Sequence, residues 1–392
     1  MKHPPDRRAW GVAIAGFVNF FNVYTTQAVL PQIAASFGVG VMEAGLTITL
    51  PLLAVACVAP FVGNISDRLG RWWLIVGAAF GMTAPTLLVA LSSSLHWVLI
   101  WRFVQGLMAP FIFTVCIAYI GDEVRGSRSI RVAGAYSVGT ILGGFSGRMV
   151  EGLGAAWLSW RAGFVVVAAL SLAGAVLVAL LLPRERHFTP LRGGVRASLA
   201  SYLEHLRTPR LLATCVVGFG LLFCNVAGFT YVNFYLAAPP FNLGPAALSL
   251  VFSVYLVAAV TTSVATRLAV RIGRRVTLAL AVVLAAAGLA LTLWPRVAAV
   301  MVGLAAMNAG LMVTQALSLG FIAATTRRAK STAVGMYVTI YYIGGSLGGM
   351  LPGTFYGRTG WPGVVALMGL VLAAMLASGV AYWRVPPPPR AA

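Results

Sequence analysis

Charged side chains are scarce in this chain. They make up 9% of its 392 residues, against about 25% in ordinary soluble domains, while 60% of the residues are hydrophobic. That balance excludes a soluble globular domain and points to a polytopic helical membrane protein. Acids are scarcer still, with 8 Asp and Glu against 28 Lys and Arg. None is expected well inside an apolar run, since Glu43 and Glu151 fall near run ends. A buried carboxylate for a cationic cargo is therefore not expected, and a neutral or anionic cargo fits better. The four cysteines, Cys57, Cys116, Cys215 and Cys224, sit in apolar runs and form no CxxC pair. They read as small buried apolar side chains and make no case for a metal site or a disulfide framework. No His-rich metal spacing, nucleophile elbow or Gly-Lys-Ser/Thr phosphate loop occurs. Catalysis, metal binding, a cofactor and direct use of ATP are not expected.

What the chain has instead is long apolar runs, each near the ~20 residues that span a bilayer as a helix. Six are expected at 10–35, 42–66, 72–91, 96–121, 130–153 and 162–182. Six more are expected at 211–237, 245–268, 276–294, 297–324, 332–356 and 362–383. Lys2, Arg7 and Arg8 precede a first run too long for a signal core, so it reads as an uncleaved span. Between the two sets lies a polar, basic linker with Gly193-Gly194, in which Val195, Leu199, Tyr202, Leu203 and Leu206 recur at helical spacing. A short amphipathic helix on the membrane surface is expected there. The organisation is thus residues 1–183, a linker at 184–210, residues 211–385 and a proline-rich tail at 386–392.

The two sets repeat each other. Asp67-Arg68-Leu69-Gly70-Arg71 has a partner in Val270-Arg271-Ile272-Gly273-Arg274, and Asn22 in Asn225, each 203 positions on. Gly106-Leu107-Met108 maps to Gly310-Leu311-Met312 at an offset of 204. Gly139, Gly143 and Gly144 map to Gly344, Gly348 and Gly349 at 205. Polar and glycine matches at nearly one offset indicate two halves in parallel repeat.

The net charge of +20 does not point to nucleic acid, because it is not gathered on a polar face. Twenty-three of the 28 Lys and Arg fall in alternate gaps, together with both termini and the linker. The positive-inside rule puts that side in the cytoplasm. Arg148, Arg161, Arg296 and Arg358 group with the opposite side.

The turn after the second run reads Gly63-Asn64-Ile65-Ser66-Asp67-Arg68-Leu69-Gly70-Arg71. Its Gly63, Asp67, Arg68, Gly70 and Arg71 resemble the loop signature between the second and third helices of the major facilitator superfamily. The resemblance extends over nearly the whole chain. It implies an all-α membrane protein with 12 transmembrane helices in two pseudosymmetric six-helix halves. It also implies a gating role for these five residues. Asp67 would meet the start of span eleven near Ser331 and Thr332, and Arg71 would pair with Asp122 or Glu123. Arg102-Phe103-Val104-Gln105-Gly106 looks like the family's fourth-helix pattern, whose arginine is tied to proton coupling; Glu43 and Glu151 are the further proton-coupling candidates. Gly139, Gly143 and Gly144 resemble the fifth-helix signature of the antiporters, although Thr140 stands where that signature has proline. The same glycines also suit close helix packing.

A site at midplane between the halves would draw on Asn19, Asn22, Tyr24, Thr25, Gln27 and Gln105. From the second half, Asn225, Tyr231, Asn233, Asn308, Gln315, Tyr337, Tyr341 and Tyr342 are candidates. Amides and phenols there either bind substrate or join helices. The expected function is proton-driven export of a small organic molecule by a monomer in a bacterial inner membrane. Uptake or facilitated diffusion of a neutral or anionic metabolite is the alternative, and a sensor or scaffold without flux is a third. A single cysteine in the turn holding Arg125, with the native cysteines replaced, is expected to escape an impermeant thiol label in intact cells and to react in inverted vesicles.

Overall fold

The computed structural model describes residues 6–124, 126–185, 208–256, 271–325 and 330–383, leaving out the side chains of Ser127, Ala323, Lys330 and Ser331. The described residues are helical, with no strand among them. In chain order, α1 is Arg7–Val23, α2 Leu30–Phe37, α3 Val41–Leu69 and α4 Arg71–Ala90. They are followed by α5 Leu95–Glu123, α6 Ser127–Trp157 and α7 Trp160–Leu181. Beyond the linker come α8 Pro209–Ala237, α9 Pro245–Leu250, α10 Arg274–Leu291, α11 Val297–Thr325, α12 Lys330–Thr359 and α13 Trp361–Tyr382. Eight of these, α3, α4, α5, α7, α8, α10, α11 and α13, contain segments long and apolar enough to cross a membrane. The amphipathic helix expected over 195–206 lies outside the described residues.

The first apolar run differs from expectation. It is not one helix: α1 stops at Val23, a 3-10 stretch covers Thr25–Val29, and α2 begins at Leu30. Pro31 suits the new start, because in the first turn of α2 its missing N–H costs no helical bond. The turn at 63–71 is also tighter than expected. Helix α3 continues to Leu69, so that Gly63, Asp67 and Arg68 are helical and Gly70 alone makes the bend at φ 88°. Its repeat partner Gly273 bends at φ 86°. Such a φ strains any residue with a Cβ, which accounts for glycine at both positions.

Helices α1 and α3–α7 pack on one another, as do α8 and α10–α13. Within each group, glycines let backbones touch. A Cβ at Gly139, Gly143 or Gly147 of α6 would land on the carbonyls of Ala13, Phe17 or Phe21 of α1. A Cβ at Gly344 or Gly348 of α12 would land on those of Phe219 or Phe223 of α8. The stripe recurs every fourth residue, as one helix face requires.

The groups meet where α3 lies along α12 and where α6 meets α9. Thr49 Oγ1 donates to the Ser346 carbonyl at 3.0 Å. Gly45 of α3 packs on the Gly349 carbonyl and on the Tyr231 hydroxyl, which donates to that carbonyl at 2.6 Å within the second group. Gly152 packs on Ser249 and Pro245. All of these lie toward the end of the bundle where α3 and α9 begin. At the opposite end, Arg8 pairs with Glu123 at 3.1 Å and Arg128 with Asp6 at 2.7 Å. Overpacking a tight interface costs about 1–3 kcal/mol. Gly143→Val is expected to destabilise the protein by that order, read as a lower unfolding midpoint in detergent, whereas Gly134→Ala, with nothing within 4 Å, is expected to leave the midpoint unchanged or raise it.

Candidate functional site: a buried arginine network and a central cavity

The break in the first apolar run creates a local problem. The last carbonyls of a helix have no N–H partner within it, and lipid offers none. Arg102 of α5 supplies donors. It is wholly buried. Its Nη1 donates to the Asn22 carbonyl at 2.9 Å and to Gln105 Oε1 at 2.7 Å, and its Nη2 donates to the Val23 carbonyl. Its Nε donates at 3.0 Å to the carbonyl of Thr47. That carbonyl is orphaned as well, because Pro51 stands where its helical N–H partner would be. Gly106, one turn on from Arg102, lies directly on the Pro51 carbonyl, where a side chain could not fit.

The network continues through side chains. Gln105 Nε2 donates to Thr86 Oγ1 at 2.6 Å, and Thr86 donates to Asn22 Oδ1 at 2.7 Å. Asn22 Nδ2 donates to Ser171 at 2.9 Å and to the Val18 carbonyl at 2.8 Å. Asn22 and Gln105, read as cavity candidates, thus join α1, α4, α5 and α7 and do not line the cavity. Their small amide bodies and dual hydrogen-bonding capacity suit a chain of buried bonds.

The cavity lies where the two groups meet and has a volume of about 290 Å³. Its lining includes Tyr24, Thr140, Gly144, Asn225, Gln315, Tyr341 and Tyr342, with Phe20, Ile141, Phe145, Leu222, Tyr255 and Met312 as apolar and aromatic wall. The other cavity candidates lie behind this surface. Asn308 accepts from Asn225 at 3.1 Å, and Gln27 bridges Arg148 and Thr230. Tyr337 is buried against Tyr341, and Tyr231 and Asn233 bond to backbone carbonyls. Thr25 donates to the Phe21 carbonyl, and Asn19 is buried with no hydrogen bond among the described residues.

The residue that sequence reasoning missed is Arg148. Grouped by its position with the outer-side charges, it is instead buried in α6 and lines the cavity. Its Nε and Nη2 donate to Gln27 Oε1 at 2.9 and 2.6 Å, and its Nη1 to the Gly144 carbonyl at 2.6 Å. The guanidinium stacks within 4.7–5.0 Å of the Tyr24, Phe252 and Tyr255 ring centres. A signal was present: Arg148 is one α-helical turn from Gly144 and follows Gly147 in the glycine stripe, within the expected run 130–153.

Glu151 corrects a second expectation. It is wholly buried, packed against Gly163, and neither carboxylate oxygen has a hydrogen-bond partner among the described residues. Its position near the end of an apolar run concealed this, because α6 extends to Trp157. Glu43, by contrast, is exposed in the first turn of α3, away from the cavity.

At the turn, Arg71 Nε lies 2.5 Å from Asp122 Oδ2 and its Nη2 lies 3.4 Å from Asp67. Glu123 pairs with Arg8 rather than Arg71. Asp67 and Arg71 are on successive helices of one group, and the expected partner Ser331 has no described side chain. Arg68 is exposed. A further acid joins this turn: Glu185 accepts from the backbone N–H of Arg71 and of Trp72, both at 3.0 Å, capping α4. Arg184 stacks on Trp72 at 4.8 Å, so the first residues of the linker are held to the turn.

The Major Facilitator Superfamily model matches residues 12–238 and 219–392. The chain belongs to the major facilitator superfamily. It is 28% identical over 362 residues to the uncharacterized MFS-type transporter YybF of Bacillus subtilis, covering 92% of this chain and 90% of that one. It is 28% identical over 370 residues to the inner membrane transport protein YnfM of Escherichia coli, covering 94% and 89%. The structure resembles that of the nucleoside transporter NupG with a TM-score of 0.80 at 14% identity, over 96% of this chain and all of the other, which speaks to the fold alone. This superfamily member is a multi-pass membrane protein whose relatives are transporters, not enzymes. Each buried carbonyl left without a donor costs about 1–3 kcal/mol. Arg102→Ala is therefore expected to lower the unfolding midpoint sharply, with Arg102→Lys intermediate, in a fluorescence melt of purified protein.

Proposed function

We propose that this chain is a secondary transporter that moves a small organic molecule across a bacterial inner membrane by alternating access. The observation that carries this is the cavity at the meeting of the two helix groups, lined from both. The proposed architecture is twelve spans in two six-helix halves, residues 1–183 and 211–385, acting as a monomer with both termini in the cytoplasm. With that orientation, Thr49 on Ser346, Gly45 on Tyr231 and Gly349, and Gly152 on Ser249 close the outer face. Rocking the halves would break them and open the cavity outward.

Export coupled to protons is the proposed mode. Buried ionisable groups in a span are costly and mark ion or proton pathways. Glu151, in the same group as Arg102, is buried without a hydrogen-bond partner among the described residues, which supports a proton-carrying role. The glycine stripe of α6 resembles that of exporters. A second proposal, uptake or facilitated diffusion of an anionic metabolite, is favoured by Arg148 in the cavity wall. Asp67 and Arg71 would gate the cytoplasmic end through their pairing with each other and with Asp122.

A thermal-shift screen of purified protein against metabolites and drugs identifies a ligand, because one that binds only the folded form raises its melting temperature. Reconstituted vesicles then separate the modes. Export requires movement driven by an imposed pH gradient; a facilitator moves substrate without one, and a sensor moves nothing. Glu151→Gln is expected to abolish gradient-driven accumulation and keep substrate exchange. Asp67→Asn is expected to reduce both while the folded protein stays in the membrane; unaltered flux removes the gate.

A further inference from the structure

We infer that Arg148 is the recognition group of the cavity, and that the ligand it takes is a small organic monoanion: one carboxylate on a flat apolar body. The inference rests on the transport reading for its meaning, but not for its geometry.

Donor capacity comes first. A guanidinium has five N–H donors. Three of those of Arg148 are used, two on Gln27 Oε1 and one on the Gly144 carbonyl. Nη1 and Nη2 each keep one N–H without an acceptor among the described residues. Two neighbouring donors of that kind match the two oxygens of a carboxylate.

Charge comes second. No ion pair among the described residues includes Arg148, and no Asp or Glu lines the cavity. Burying a cation among neutral partners is costly unless an anion completes the site. The rings of Tyr24, Phe252 and Tyr255 offset part of that cost through their faces. They neutralise nothing. No second Lys or Arg lines the cavity, so one negative charge is matched and two are not.

Shape comes third. Apart from Arg148 and the polar groups of Asn225, Gln315 and the tyrosines, the wall is apolar or aromatic, as with Phe20, Phe145 and Leu222. Such walls bury an apolar body while a few polar groups orient it. Gly144, itself in the lining, adds no side chain beside Nη1, from which a Cβ would lie 3.5 Å away.

Arg148 also touches the closed outer face. Gln27, which it holds, donates to Thr230 at 3.1 Å across the two groups. An anion competing for the guanidinium would bear on the same bond that keeps the halves together.

The test uses the purified full chain, with benzoate and 1-naphthoate as probes against benzamide and benzylammonium, measured by titration calorimetry. The wild type is expected to bind at least one of the two anions, and neither benzamide nor benzylammonium comparably. Arg148→Gln is expected to weaken anion binding at least tenfold and to erase the preference over benzamide. Gel filtration and a ligand-free melt check that this variant is folded. If it is not, Arg148→Lys decides: retained preference for the anion with weaker binding supports the assignment, and loss of preference overturns it. Equal binding of benzamide and benzoate, wild-type affinity in Arg148→Gln, or no binding of either anion overturns it as well. Flux of the bound anion in vesicles is scored separately, so that Arg148-dependent binding without flux defeats the transport reading and leaves the anion site standing.

Discussion

A helix that stops inside a membrane must hand its free carbonyls to something, and in this protein they go to Arg102. Hydrocarbon offers no hydrogen bonds, so every exposed backbone group has to be met by protein. The first apolar run breaks at Val23, and α3 loses a bond at Thr47 through Pro51. One planar group with five donors reaches the orphans of both helices and a side-chain amide besides. The break is what brings Tyr24 to the cavity wall and Gln27 behind it to Arg148, and it is tenable because Arg102 is there. A charge that would be expensive alone is embedded among carbonyl dipoles.

The second arginine is placed by a different constraint. The glycine stripe of α6 brings its backbone onto α1, with Gly139, Gly143 and Gly147 against successive turns. Residue 148 then lies beside that seam, next to the unwound stretch, where Gln27 can meet it. Tight packing and an unpaired cation therefore follow from the same helix contact. Gln27 goes on to bond Thr230, its counterpart 203 residues later, so the two repeats touch through equivalent positions.

Much of the architecture was legible from local chemistry. Apolar runs marked the helices, because bilayer thickness is a demand each segment meets by itself. The repeat was visible in Gly70 and Gly273, which share a positive φ that only glycine takes easily. The Arg71–Asp122 contact was one of two pairings the turn allowed. The cap on α4 by Glu185 was not visible, because that acid lies more than a hundred residues away in the chain. Nor was the break in the first apolar run, since Pro31 there permits several outcomes until a donor such as Arg102 is in place.

The sites divided along the same line. Amides such as Asn22 and Gln105 were identified as buried and polar, which composition and position determine without help. Whether they face a cavity or another helix depends on the rotation of each helix, and rotation is set by packing against neighbours. The membrane class and the apolar helices long enough to cross a bilayer were determined by the sequence itself, because each is a sum over local transfer energies. Only the tertiary structure decided that Asn22 and Gln105 serve the scaffold while Asn225, Gln315 and Arg148 face the cavity, because those roles belong to contacts between helices distant in the chain.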